Sequence, residues 1–265
     1  RNDIAWKYGL RLERPAHPVT RYRSRMAGAA LLVLMAGCGR DVRTHLHGPF
    51  PEKLSAWRLF SGNPASLTPN RGVVPYDLNT TLFTDYATKR RFVWMPPGTA
   101  AEYRADDAFE FPKGAILSKT FSYPDADLGS RERLIETRLL VNTGQGWVAL
   151  PYVWNAAQTE ATLQIVARPV EVNWRKPSGG NYDIHYQVPN ANQCKECHDR
   201  NKITKPIGPK ARHLNREMTY PEGTFNQLVY WTKIGYLRSA PEPAKISKQA
   251  VWDDPSTGTL EARAR

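Results

Sequence analysis

The sequence predicts an α+β chain of more than one domain. A β-rich, antiparallel, sandwich-like domain is expected over about residues 54–180, followed by a small α-helical domain over 181–248. Three observations carry this. Short runs rich in β-branched and aromatic residues recur between about 90 and 174, cut by Pro, Gly and Asn. Twenty-one Pro and eighteen Gly in 265 residues require many turns and disfavour an all-helical chain. Beyond residue 181 a helical period appears, most clearly over Thr224–Gly235.

The first 37 residues read as a leader. Arg21, Arg23 and Arg25 precede an apolar run of eleven residues, Ala27–Gly37. That run is too short to span a bilayer but suits the apolar segment of a secretory signal. It ends in Met-Ala-Gly before Cys38, the small-residue pattern of a lipobox, with Met35 where Leu is usual. Cys38 is then expected to be lipidated and to tether the protein to a bacterial membrane, facing the periplasm or the cell surface. Residues 1–18 show no periodicity and read as upstream translated sequence; 38–53 read as a linker.

Lys53–Phe60 (KLSAWRLF) is a short amphipathic helix candidate. The strand candidates follow: RRFVWMP, AILSKTFSYP (Ala115–Pro124), RLIETRLLVN (Arg133–Asn142), GWVALPYVWN (Gly146–Asn155), ATLQIVA (Ala161–Ala167) and VEVNW (Val170–Trp174). LLVNTGQGWVAL reads as a hairpin turning at Thr143–Gly146, and ATLQIVARPVEVNW as a second hairpin. Asp77, Asp85, Glu136 and Glu160 show no pairing. Trp94, Trp147, Tyr152 and Trp154 suit core packing more than an exposed sugar-binding face.

The formal charge of +12 is unevenly placed. Residues 1–37 hold seven basic and two acidic residues, leaving +7 for the remainder. A nucleic-acid surface would need a clustered basic stripe with stacking aromatics on a known module, and none is read here. Acidic protein partners or a membrane surface fit the charge more simply.

The chemistry concentrates in PNANQCKECHDRNK, Pro189–Lys202, which holds Cys194, Cys197 and His198 as C-x-x-C-H. Three cysteines in the chain cannot build a disulfide framework. Structural zinc needs four Cys or His ligands; only His185 and His213 could complete the pair, with no second C-x-x-C. A redox C-x-x-C calls for a βαβ context that the flanks lack. Covalent haem uses all three residues: two thiols on one helical turn form thioethers, and His198 becomes the proximal iron ligand. One haem c is therefore expected, and 181–248 reads as cytochrome c-like. Ile207-Gly208-Pro209 resembles the loop that packs on the proximal side in cytochromes c, and a helix over EGTFNQLVYWTKIGYL, capped by Thr224 and ended by Gly235, could pack across the motif. Met218 is the only Met after the motif and a possible distal ligand; His213, His185 and an open position are alternatives. Asp183–Lys248 carries eleven Lys and Arg against six Asp and Glu, either a solvated face or a rim that steers an acidic redox partner.

Several blocks, among them GVVPYDLNTTLFTDYATKRRFVWMPPGT, WVALPYVWN, YQVPNANQCKECH and IGPKARHLNRE, resemble a family of secreted bacterial proteins described as haem-binding or c-type cytochrome-like. The resemblance runs from about Leu54 to the end. It implies haem c on Cys194, Cys197 and His198 and a role in electron transfer. In that family a segment like LEARAR leads into a second C-x-x-C-H, so a version truncated before its second haem is expected here, over 249–265. The expected function is periplasmic electron transfer by an iron-binding, membrane-tethered protein, with enzymatic activity left open. The alternatives are a β-sandwich binding module, for a carbohydrate for example, with a haem relay, or a haem enzyme of peroxidase type.

Overall fold

Six strands build the central antiparallel sheet, and most lie where the alternating runs place them. In a computed structural model describing residues 41–124, 132–175, 180–200 and 203–264, the early strands are β1 (Val74–Tyr76), β2 (Thr88–Trp94), β3 (Ala101–Glu102), β4 (Ile116–Pro124), β5 (Glu132–Asn142), β6 (Trp147–Trp154) and β7 (Ala161–Leu163). The sheet order is β1-β2-β4-β5-β6-β7. The expected β5–β6 hairpin forms, with Asn142 opposite Trp147 and the Thr143 N–H donating to the Gly146 carbonyl at 2.9 Å. Gly144 and Gly146 take positive φ there, which a side chain would strain. A bulge lets Phe121 face Glu136 and Ser122 face Leu134, so Ile135 is the extra residue.

One face of this sheet is mostly apolar, with Thr120 and Thr137 hydrogen-bonded to each other at 2.8 Å within it. Phe92, Trp94, Ile116, Leu139, Val141, Leu150, Tyr152 and Trp154 pack under Leu54, Trp57 and Leu59. The amphipathic segment is a 3-10 turn, Leu54–Trp57, ended by Arg58 at φ 54°. Trp57 Nε1 donates to Tyr152 Oη at 2.7 Å, and that hydroxyl donates to the Pro51 carbonyl at 2.8 Å, so both buried polar groups are satisfied. Trp94, Tyr152 and Trp154 are core residues, and Trp147 packs edge-on against Phe111.

The second expected hairpin does not form. Lys53 bridges Thr162, and the Leu163 N–H donates to the Glu52 carbonyl, so the free edge of β7 is taken by the chain before the 3-10 turn. β8 (Arg168–Arg175) instead pairs along its whole length with β9 (Asn181–Val188). This ribbon lies over the opposite sheet face, where Val172, Tyr186 and Val188 pack on Phe121, Tyr123 and Ile135.

The described part of the later chain is not mainly helical. It runs through α1 (Ala191–His198), β10 (Asp199–Arg200), β11 (Ile203–Thr204), α2 (Ala211–Leu214), β12 (Glu217–Tyr220), β13 (Gly223–Asn226), α3 (Gln227–Lys233), β14 (Leu237–Arg238) and α4 (Leu260–Ala264). The helix expected from Thr224 begins at Gln227. Thr224 and Phe225 lie in β13, and the Asn226 side chain accepts from the Leu228 N–H at 3.0 Å as the true cap. Its buried residues are Gln227, Leu228, Tyr230 and Trp231, while Val229 and Ile234 face solvent. Gly235, at φ 77°, ends it as expected.

A core cluster joins this region to the sheet: Ala211, Leu214, Tyr220, Leu228 and Trp231 pack with Val74, Tyr76, Val93, Phe109 and Leu117. β14 pairs in parallel with β3. The described residues belong to one compact unit, Gly39–Arg265. The leader and Cys38 lie outside the described residues.

Candidate functional site

α1 starts at a reciprocal cap. The Asn190 side chain accepts from the Asn192 and Gln193 N–H groups at 3.0 and 2.9 Å, and Gln193 Oε1 accepts from the Asn190 N–H at 3.0 Å. A three-residue spacing puts Cys194 and Cys197 on neighbouring positions of the same helix side. Both thiols are free, Cys194 buried and Cys197 exposed. Burial pushes the Cys194 thiol up, against the pull of the Arg138 charge.

The strand leading into α1 is locked to the sheet. Tyr186 donates to Glu136 Oε1 at 2.6 Å, and Arg138 donates to both Glu136 oxygens at 2.9 and 2.5 Å. Glu136 is 0% exposed, so this fork and the tyrosine supply the partners that a buried carboxylate needs. Burial, then the Glu136 charge, pushes the Tyr186 hydroxyl far up. For Arg138, burial pulls down, but Glu136 holds the guanidinium above its usual value.

His198 ends α1 and is tied twice to Lys205. The Lys205 N–H donates to the His198 carbonyl at 2.8 Å, and His198 Nδ1 lies 2.9 Å from the Lys205 carbonyl. A carbonyl can only accept, so Nδ1 carries the proton and Nε2 keeps the lone pair. Burial lowers the His198 pKa, opposed by the Lys205 hydrogen bond and reinforced by the charges of Lys119 and Arg138. The ring is therefore a neutral donor with one nitrogen free to bind a metal.

His198 lines a cavity of about 560 Å³ on the second face of the sheet. Leu78, Leu117, Leu140, Pro206, Ile207 and Pro209 give it apolar walls, and the exposed side chains of Leu82, Phe83, Trp252 and Leu260 surround its mouth. Its floor is cationic. Arg91 stands directly opposite Lys119, and Lys119 directly opposite Arg138, in one row across β2, β4 and β5; Lys89 lies one step along the same face. Arg91 pairs with Asp77 at 2.7 Å. Burial lowers Lys119 to about 7, aided by Arg138 and Arg91, and lowers Lys89 to about 8, aided by Arg91.

The structure brings His198, His213 and the Ile207-Gly208-Pro209 loop to the same cavity. Burial and the charges of Arg212 and Lys210 lower His213 to about 4, and its Nδ1 is buried without a hydrogen-bond partner among the described residues. Met218 is elsewhere: it lies in β12 and packs against the shared core. His185 is exposed on the outer side of β9 opposite Glu171, 2.6 Å from its carboxylate, which raises its pKa. Of the acids with no visible pairing, Asp77 binds Arg91 and Arg216, Glu136 takes the Arg138 fork and Glu160 accepts from Ser55; at Asp85 it is the backbone carbonyl that accepts, from Tyr123. In the basic loop, Lys210 and Arg216 face Asp107 and Asp77 rather than open solvent.

The cationic floor was not read from the sequence. Its signal lies in the strand period: Lys119 falls between inward Leu117 and Phe121, and Arg138 between Glu136 and Leu140. Among the described residues no group of three or more His, Cys, Asp or Glu could hold a metal ion, and no helix is long and apolar enough to cross a membrane. No protein-family model, curated protein or solved structure matches this chain.

Proposed function

We propose that the chain carries one haem c, joined by thioethers to Cys194 and Cys197 with His198 as axial ligand, and that it transfers electrons. The observation that carries this reading is the state of His198. It ends the C-x-x-C-H helix, is held by Lys205 with Nε2 unprotonated, and borders a cavity within the roughly 300–1,000 Å³ range of cofactor sites. Apolar walls would exclude water from the ring, and His213 brings a second imidazole to the same cavity. A bound haem supplies one-electron redox chemistry; the chain supplies attachment, an axial nitrogen and the charge around the ring.

On this reading the cytochrome c-like element is the motif helix and the Pro206–Pro209 loop docked on a β-sheet. The chain would work in the periplasm or at the cell surface, tethered through lipid at Cys38. It would resemble the secreted c-type cytochrome-like proteins and pass electrons to or from an acidic protein attracted by its net positive charge.

Expression with haem c maturation machinery tests the proposal. Reduced-minus-oxidised spectra of a c-type haem, and a peptide spanning Pro189–Lys202 heavier by one haem, are expected; both are lost in Cys194→Ala with Cys197→Ala. A wild-type protein that matures without covalent haem overturns it. A haem enzyme with an open iron position is the second reading, favoured by the packing of Met218 into the core outside the cavity lining. A high-spin spectrum with rapid binding of small ligands would select it.

A further inference from the structure

We propose that the cavity floor, the cross-strand row Arg91–Lys119–Arg138 with Lys89 beside it, is an anion subsite that takes the two carboxylates of a porphyrin. This deepens the haem reading and rests on it for the identity of the anion. Like charges directly opposite on a sheet face, with Cβ atoms about 4.5–5.5 Å apart, are destabilising. Here three cations stand in one such row on a largely covered face. The two arginines are compensated within the protein, Arg91 by Asp77 at 2.7 Å and Arg138 by the Glu136 fork. The two lysines are compensated less: the charges of Asp85 and Glu136 act on Lys89 and Lys119 only from beyond ion-pair distance. Among the described residues neither has a carboxylate within ion-pair distance. Lys89 Nζ donates to the Ala87 carbonyl at 3.2 Å, and Lys119 Nζ lies 4.9 Å from the Phe121 ring centre. Both ammonium groups are disfavoured by burial, so an anion that restores their charge would bind with that gain.

The walls narrow the class of anion. A small inorganic anion would be left against Leu117, Leu140 and Ile207 with nothing to satisfy it. An apolar body bearing two carboxylates matches both parts of the cavity: the body meets the leucines, and the carboxylates meet Lys89 and Lys119. A porphyrin with two propionates has this composition.

The test uses the full chain purified from cells without haem-attachment machinery, with metal-free protoporphyrin IX and its dimethyl ester as probes. Quenching of tryptophan fluorescence reports binding, since Trp252 lines the cavity. The diacid is expected to bind at least tenfold tighter than the diester. Lys119→Met and Lys89→Met should each weaken the diacid about tenfold and leave the diester unchanged. Lys119→Met should not lower the thermal midpoint of the ligand-free protein, which separates a binding role from a structural one. Equal binding of diacid and diester, no binding of either, or diacid affinity unchanged in both variants overturns the subsite. Covalent haem on Cys194 and Cys197 together with equal affinities would leave the haem reading standing without the subsite. Diacid-selective binding in a chain that never acquires covalent haem would do the reverse.

Discussion

Tyr186 Oη lies 2.6 Å from Glu136 Oε1, and this bond fastens the strand that leads into the motif helix to the middle of the central sheet. Glu136 keeps both Arg138 contacts when the hydroxyl is removed, so Tyr186→Phe deletes its short bond to Glu136 and a long one from Arg138 at 3.5 Å without stranding the carboxylate. The expected cost is about 1.5–3 kcal/mol. It should appear as a lower denaturation midpoint at unchanged m-value, with faster hydrogen exchange at Cys194–His198. Exchange in α1 that matches the wild type would show that the ribbon is held by other contacts.

Much of the first half of the fold was legible because its signals are local. Strands β2, β4, β5 and β6 each carry their own period, and the Thr143–Gly146 turn carries its own glycines. What was not legible depends on partners distant in sequence. The edge of β7 is claimed by Glu52 and Lys53, about 110 residues upstream, so β8 turns to β9 instead. The cap of α3 moved two residues, from Thr224 to Asn226, because Thr224 and Phe225 pair with Thr219 and Met218, and a β-ladder overrides a plausible cap. At the site, the motif spacing named Cys194, Cys197 and His198. No local pattern could tell that His213 shares the cavity with His198 while Met218 turns into the core, because that depends on the path of the chain from Thr204 to Ala211.

Gln227 ties the late helical turn to the first strand, donating to the carbonyls of Asp77 and Leu214 at 3.0 and 3.4 Å and accepting from the Asp77 N–H at 2.8 Å. It is fully buried, so Gln227→Ala strands an amide N–H and two carbonyls and opens a cavity. A loss of about 2–4 kcal/mol is expected. Because Trp231 and Leu228 share one core with Val74, Tyr76 and Phe109, wild type and variant should each unfold in a single transition by both fluorescence and circular dichroism. Two separated transitions would mean that the sheet and the 181–264 region are stable independently.

Lys119 gives the ligand-free protein a defined pH dependence. Its folded value is lowered to about 7 by burial, and the unfolded value is near 10.5. Below pH 7 both states are protonated; above 10.5 neither is. Between these limits the unfolded chain binds the extra proton, so stability rises with pH from about 7 to 10.5. Lys89, lowered to about 8, adds in the same direction over the upper part of the window. The slope due to each lysine stays under about 1.4 kcal/mol per pH unit, the limit for one proton. Urea midpoints measured at pH 7, 8, 9 and 10 should climb in the wild type and climb less in Lys119→Met, most clearly between 7 and 8. Parallel profiles would mean that Lys119 stays protonated in the fold.

The two cavity histidines lead to the sharpest expectation about the iron. His213 is neutral at pH 7, held far below the usual imidazole range by burial and by Arg212 and Lys210, and its Nδ1 has no partner to give up. Met218 would have to leave the core it packs against and break the β12–β13 ladder to reach the same cavity. Met218 is half-buried, so moving it forfeits only part of the roughly 1.5–3 kcal/mol of full side-chain burial. In the haem-loaded protein, His213→Ala is therefore expected to convert a low-spin spectrum to a high-spin one, with a rise in affinity for small ligands such as azide. His185→Ala, at an exposed pair with Glu171, should leave the spectrum unchanged. Met218→Leu should also leave it unchanged, since a volume-conserving swap costs under about 1.5 kcal/mol in a core. Loss of a near-infrared Met-to-iron band in Met218→Leu would reverse this assignment and require the β12–β13 ladder to open when haem is attached.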